Sequence, residues 1–183
     1  WTGGSVDPYK NILYVTANQA PYKIKVVSSE TSTFEIFKYK FEMDIFLDSD
    51  GYPASKPPWG TLTALNLNTG KIIWQTPLGY YETLKLEATN TGTENYGGAT
   101  ATAGGLVFAA GTLDKLIRAF DSESGKELWS HKLPYIGSAP PTSYEINGEQ
   151  YIVIPASGGI SLQMYYPDLV EQGDAIVAFK IQD

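Results

Sequence analysis

Two stretches of this chain are the same unit written twice. Residues 62–74 read LTALNLNTGKIIW and residues 117–129 read IRAFDSESGKELW. Ala64, Gly70, Lys71 and Trp74 align with Ala119, Gly125, Lys126 and Trp129 at a constant offset of 55 residues. A repeat of fixed period restricts architecture before any local reading, because each copy must bury its apolar face against a neighbour. The unit reads as strand, tight turn, strand. Asn66 or Asp121 opens the turn, where an Asx side chain can bond its own backbone. Gly70 or Gly125 follows four residues later, where a hairpin loop built on a type I turn commonly needs a left-handed residue. The second strand carries Trp74 or Trp129. A Trp brings a large apolar area and an indole N–H to satisfy. One Trp per unit, at the same place, predicts that each unit docks on the next.

The same rhythm runs beyond these copies. Residues 3–16, GGSVDPYKNILYVT, hold a turn signal in Asp7-Pro8 and Asn11, then a strand from Ile12 to Thr16. Residues 102–110, TAGGLVFAA, have the same turn-then-strand shape. Residues 142–154, TSYEINGEQYIVI, carry Asn147-Gly148, a strong hairpin turn. A strand ending in Ala-Leu or Ala-Phe follows each time, at Thr61–Leu65, Leu116–Phe120 and Ala175–Phe179. The Trp strand follows twice and is missing the third time. The expectation is an all-β chain of three consecutive blades, the last incomplete. Radial repetition of small antiparallel sheets is the β-propeller solution to exposed strand edges. Ile72-Ile73 and Leu128-Trp129 are adjacent apolar pairs, which predicts burial of those strands on both faces. Propellers have about 4–8 blades. Three cannot close a ring, so the chain is expected to be part of a larger propeller or to close by assembly.

Two insertions interrupt the repeat, at about residues 19–58 and 160–173. The first carries Phe34, Phe37, Tyr39, Phe41, Phe46 and Tyr52, and the second Met164, Tyr165, Tyr166 and Pro167. Segments of such length are usually functional or ordered in their own right. The connection 80–95 is a third long loop, polar and rich in Thr and Glu.

Composition narrows the chemistry. The formal net charge of −7 is a poor match for a phosphate backbone and argues against nucleic acid as partner. The absence of cysteine excludes disulfides, zinc–thiolate sites and a C-x-x-C-H haem attachment within these 183 residues. No apolar run approaches a membrane span. The start, Trp1-Thr2-Gly3-Gly4, lacks methionine and a signal peptide and reads as a mature, cut or partial chain. Asp48-Ser49-Asp50-Gly51 hints at a calcium loop, but EF-hand spacing would put Phe46 first and Pro57 last, so a plain turn is expected and no metal ligand is assigned. His131 is the sole histidine and is expected at the surface, so no Ser-His-Asp set can be built.

Four blocks resemble a known family. They are DSDGYPASKPPWGTLTALNLNTGKIIWQTPLG, GTENYGGATATAGGLVFAAGTLDKLIRAFDSESGKELW, PTSYEINGEQYIVIPASGG and the opening WTGGSVDPYKNILYV. Together they look like the C-terminal part of the pyrroloquinoline-quinone (PQQ) dehydrogenases of the glucose and alcohol group. The resemblance implies about three four-stranded blades of an eight-bladed propeller, with PQQ on its axis and Ca²⁺ beside it. It implies oxidation of a sugar or alcohol by hydride transfer to the quinone, with electrons leaving to a quinone or cytochrome c. It also implies a periplasmic or extracytoplasmic location, with or without membrane attachment through a further segment.

Carried over residue by residue, the resemblance places Asn95, Gly97, Gly98, Asp114 and Trp1 as cofactor-binding candidates. Gly3 belongs to the same stretch as Trp1, and Phe108 stands where some relatives carry a cofactor-contacting Trp. Ile160 stands where many members have a His. The principal base and the calcium ligands are expected outside this chain, in the remaining blades. Each assignment has a plainer rival. Asp114 can be a hairpin cap, 95–98 can be an ordinary Gly-rich loop, and Trp74 and Trp129 are expected to be docking residues. At the level of the whole chain, the alternatives are a non-catalytic propeller scaffold of the cell envelope and a degenerate glycan-binding relative.

Overall fold

The structure, a computed structural model, describes residues 3–28, 38–82 and 91–180. The chain divides into two compact units, Ala20–Lys56 and the remainder. The remainder begins with β1 (Ser5–Asp7) and β2 (Ile12–Asn18). The chain then leaves for the smaller unit, β3 (Tyr22–Ser28) and β4 (Tyr39–Ile45), and returns as β5 (Gly60–Asn66) and β6 (Lys71–Pro77). Next come β7 (Ala99–Ala101), β8 (Leu106–Ala109), β9 (Leu116–Asp121) and β10 (Glu127–Lys132). Last are β11 (Thr142–Ile146), β12 (Glu149–Ala156), the single-turn α1 (Ile160–Tyr165) and β13 (Ala175–Lys180).

The larger unit is three consecutive antiparallel sheets, in strand orders β1-β2-β5-β6, β7-β8-β9-β10 and β11-β12-β13. This is the expected all-β architecture, with two four-stranded blades and a third that is one strand short. Inner edges converge. The Ala101 N–H of β7 donates to Ser5 Oγ at 2.9 Å, and Thr100 Oγ1 donates to the Pro141 carbonyl just before β11 at 2.5 Å.

Alternation along the strands explains why the sheets stack. Val107 and Ala109 face the first sheet, in a cluster with Ile12, Tyr14, Leu62, Ala64 and Phe120. Their neighbours Phe108 and Ala110 face the third sheet, with Ile117, Ala119, Ile152 and Ile154. The middle sheet is therefore apolar on both sides.

The turns follow the Asx logic. Asn66 Oδ1 accepts from the Asn68 and Thr69 N–H groups, and Asp121 Oδ1 accepts from Glu123 and Ser124. Asp7 Oδ1 does the same for Tyr9 and Lys10. Gly70 and Gly125 close their turns at φ 69° and 70°. The Trp74 indole donates to the Ser122 carbonyl at 3.0 Å, across from the first sheet to the second. Its ring lies where a Cβ on Gly125 would come within 2.5 Å. Trp129 differs. It is 39% exposed, meets Phe179 of β13 edge-on at 5.2 Å and stacks on the exposed His131.

One expectation fails. Ile72, Ile73 and Leu128 are exposed rather than buried on both faces. β6 and β10 are the outer strands of their sheets, so only one side meets a neighbour. Two-face burial belongs to the middle strands β5, β8 and β9.

The smaller unit is a hairpin with Ile24 opposite Met43 and Val26 opposite Phe41 on one face. Lys23 opposite Asp44 and Lys25 opposite Glu42 occupy the other. Asp48-Ser49-Asp50-Gly51 is a turn, with Asp48 Oδ1 accepting from Asp50 and Tyr52 N–H. Phe34 and Phe37 lie outside the described residues.

Candidate functional site

Every short turn of the larger unit, at residues 7–12, 66–71, 101–106, 121–127 and 146–149, lies at one end of the sheets. The other connections, including 91–98, 110–115, 133–141 and 157–174, lie at the opposite end. Long loops held on a rigid scaffold are where binding groups concentrate. Asn95, Gly97, Gly98 and Asp114 all fall at this loop end.

Residues 91–98 thread between the ends of the first two sheets. The Trp59 N–H donates to the Thr91 carbonyl at 2.7 Å and the Thr93 N–H to the Leu78 carbonyl at 2.9 Å. On the other side, the Tyr96 N–H donates to the Gly111 carbonyl at 3.2 Å. The passage is too tight for side chains at Gly60, Gly92, Gly97 and Gly111. A Cβ on Gly60 would come within 1.8 Å of the Thr93 carbonyl oxygen, and one on Gly97 within 2.2 Å of the Ala110 carbonyl oxygen. Gly97 is thus required by backbone packing. Gly98 follows at φ 69°, a left-handed turn into β7.

Asn95 is clamped by a residue the sequence did not single out. Asn18, at the end of β2, accepts from both the Asn95 N–H and its Nδ2, each at 2.9 Å. Asn18 Nδ2 returns a bond to the Asn95 carbonyl at 3.0 Å. Asn95 is 3% exposed, and its Oδ1 is buried without a hydrogen-bond partner. A buried acceptor left open costs about 1–3 kcal/mol unless something completes it.

Asp114 is engaged by groups of this chain. Its carboxylate accepts the Leu116 N–H at 3.0 Å, the Thr112 hydroxyl at 2.6 Å and the Tyr80 N–H at 3.0 Å. Both terminal nitrogens of Arg118 complete a bidentate pair. A carboxylate offers about four lone-pair sites. Five donors fill them, so Asp114 is a hairpin cap and ion-pair partner with no acceptor capacity left for a ligand. Arg118 reaches on to Glu127 at 3.2 Å.

The remaining candidates are scattered. Trp1 lies outside the described residues. Gly3 is exposed, with open space around it. Phe108 sits in the core between the second and third sheets. Ile160 is exposed at the start of α1.

A second group gathers beside Asn95. Glu94 is fully buried, and Tyr166, from the 160–173 insertion, is buried too. Tyr166 Oη is 3.0 Å from Tyr81 Oη, and Trp59 meets the Tyr81 ring edge-on at 5.4 Å. Burial, then Tyr81 and Glu94, push the Tyr166 phenol above its ordinary range. Tyr81 also lines a cavity of about 270 Å³ with Leu113, Leu169 and the charged Glu82, Lys115 and Lys132. None of these contacts has a periodic signal. Tyr81 and Tyr166 are 85 residues apart and meet only when the insertion folds back.

Residues 1–152 match the PQQ family model described as glucose/ethanol/alcohol dehydrogenase, beta-propeller domain. The chain is 30% identical over its whole length to quinoprotein glucose dehydrogenase A of Acinetobacter calcoaceticus, covering 25% of that protein. It is 38% identical to the quinate/shikimate dehydrogenase (quinone) of Acinetobacter baylyi, over 79% of this chain and 18% of the relative. Among solved structures, a europium-containing methanol dehydrogenase superposes on 97% of this chain and 32% of its own, with TM-score 0.67 and 17% identity. The chain spans about a quarter of the length of the first relatives it matches.

Proposed function

Because this chain belongs to the PQQ family of glucose, ethanol and alcohol dehydrogenase β-propellers, we propose that it is the C-terminal portion of a PQQ-dependent enzyme oxidising a sugar or alcohol hydroxyl. The relatives are dehydrogenases for glucose, quinate and glycerol rather than scaffolds or glycan binders. The observation that carries the reading is the family match lying over the loop end where Asn95 sits.

The residues present fit a polar cofactor at one point. Asn95 Oδ1 is a buried acceptor that a bound donor would complete. Asn18 fixes the amide's direction through three hydrogen bonds. Gly97 and Gly98 form a wall of backbone next to it. When bound, PQQ supplies a two-electron acceptor for hydride from the carbinol carbon; the difficult chemistry is the cofactor's. This chain's part is to orient with Asn95 and to exclude water with the packed 91–98 segment. Asp114 holds that segment's neighbours in place. The base, a Ca²⁺ site, a quinone or cytochrome c acceptor and an extracytoplasmic location complete the proposal, with their residues outside this chain. In the whole protein, Trp129 is proposed to dock on a following blade as Trp74 does on Gly125.

The test is dye reduction by the full-length protein, loaded with PQQ and Ca²⁺, with glucose, glycerol, quinate and ethanol supplied separately. Turnover with at least one is expected, and loss of PQQ affinity in Asn95→Ala. No turnover with any hydroxyl substrate would overturn the reading.

A further inference from the structure

We propose that the β3–β4 hairpin docks on a phospholipid surface, with its apolar face in the boundary between headgroups and acyl chains. The inference stands apart from the dehydrogenase reading and needs no cofactor.

The register sorts the hairpin into two unlike faces. Side chains alternate along a strand, so Tyr22, Ile24 and Val26 of β3 share a face with Tyr39, Phe41 and Met43 of β4. Lys23 opposite Asp44 and Lys25 opposite Glu42 take the other face. An antiparallel sheet in water ordinarily covers its apolar face and wets its polar one. Here the apolar face is open. Val26 is 68% exposed and Phe41 67%, with Ile24 and Tyr39 exposed beside them. β3 and β4 pair with each other as a separate two-stranded sheet, in a compact unit of their own. A lone hairpin is marginally stable in water at best, so this face calls for a cover.

Size and charge select the cover. Two seven-residue strands present a face of about 23 by 10 Å, roughly 230 Å². A protein partner or a second copy needs about 800 Å² on each side. A bilayer sets no such threshold, because binding grows with each apolar group immersed. Tyr22 and Tyr39 stand at opposite ends of the face. A Tyr ring suits the membrane boundary, where its body meets hydrocarbon and its hydroxyl meets water. The polar face carries Lys23, Lys25 and Lys40 against Glu42 and Asp44. These strands are net positive in a chain of formal charge −7, so they are the part that an anionic leaflet attracts. The lysine stems can lie along the hairpin while the ammonium groups reach lipid phosphate.

The experiment uses the full-length protein carrying Val26→Cys or, on the polar face, Lys25→Cys. Each is labelled with a polarity-sensitive thiol dye, with unsubstituted protein as the labelling blank. Vesicles are phosphatidylethanolamine with phosphatidylglycerol, with and without a lipid bearing a doxyl quencher on its acyl chain. On vesicle addition the dye at position 26 is expected to shift to the blue and to be quenched by the doxyl lipid. The dye at position 25 should keep its aqueous emission. Adding Phe41→Asp to the position-26 protein should raise the lipid concentration for half of the shift by about 100-fold, as one large apolar side chain gives way to a charge. Equal responses at positions 26 and 25 would overturn the proposal, and so would unchanged lipid dependence with Phe41→Asp. A position-26 dye already blue-shifted without lipid, and unmoved by it, would also overturn it, by putting a protein surface on this face. Loss of that shift on dilution would then identify the cover as a second copy.

Discussion

Five hydrogen bonds converge on the Asp114 carboxylate, and their sources define what the residue does. Two are backbone N–H groups, from Tyr80 and Leu116, and the rest come from Thr112 and Arg118. Asp114 is 1% exposed and Arg118 4%. Removing Asp114 leaves the buried Arg118 with only the part-exposed Glu127 as its ionic partner among the described residues, so Asp114→Ala should cost about 3 kcal/mol, the lower end for breaking a buried pair. A urea midpoint unchanged from wild type would contradict this. The sequence displayed Asp114 and Arg118 four residues apart but could not show that they face one another. In a strand, that spacing puts residues on one side, whereas Asp114 precedes β9 in a turn that bends back. Asn18 was less legible still. It ends a strand like any other Asn, and its partnership with Asn95 spans 77 residues. Polar clamps of this reach have no local pattern to read.

At the scale of elements, local rules carried much further. The Asx-to-glycine turns were legible because their hydrogen bonds run only two or three residues along the chain. The strands were legible through alternation. What alternation could not give was which strands lie at the rim, hence the mistaken burial of Ile72 and Leu128. The two equivalent glycines offer a clean test of the Trp contact. Both have φ near 70°, so an alanine at either meets backbone strain of about 1–2 kcal/mol. Gly70 has open space around it, while a Cβ on Gly125 meets the Trp74 ring at 2.5 Å. Gly70→Ala should therefore lower stability by the strain alone. Gly125→Ala should lose more, by a further 1–3 kcal/mol of overpacking, roughly, and shift Trp74 fluorescence. Equal losses at the two sites would mean that the indole does not seat on that turn.

At the scale of the whole molecule, the three sheets make a sector whose loop end offers only part of a site. The Asn95 loop is supported on both sides, by the first and second sheets, and is ordered by contacts within this chain. Rate enhancement of this kind depends on holding reactants in a near-attack geometry, worth about 7–11 kcal/mol at best. Asn95, Gly97 and Gly98 cannot supply that from one side, and Asp114 is already saturated. Ile160 adds no polar group. The isolated 183-residue chain is therefore expected neither to bind PQQ tightly nor to reduce dye with glucose or simple alcohols in the presence of Ca²⁺. Calorimetric titration with PQQ and the dye assay check the two halves separately. Robust turnover by the isolated chain would show that it closes a site by itself or by self-assembly, and the sector description would have to give way to a complete ring.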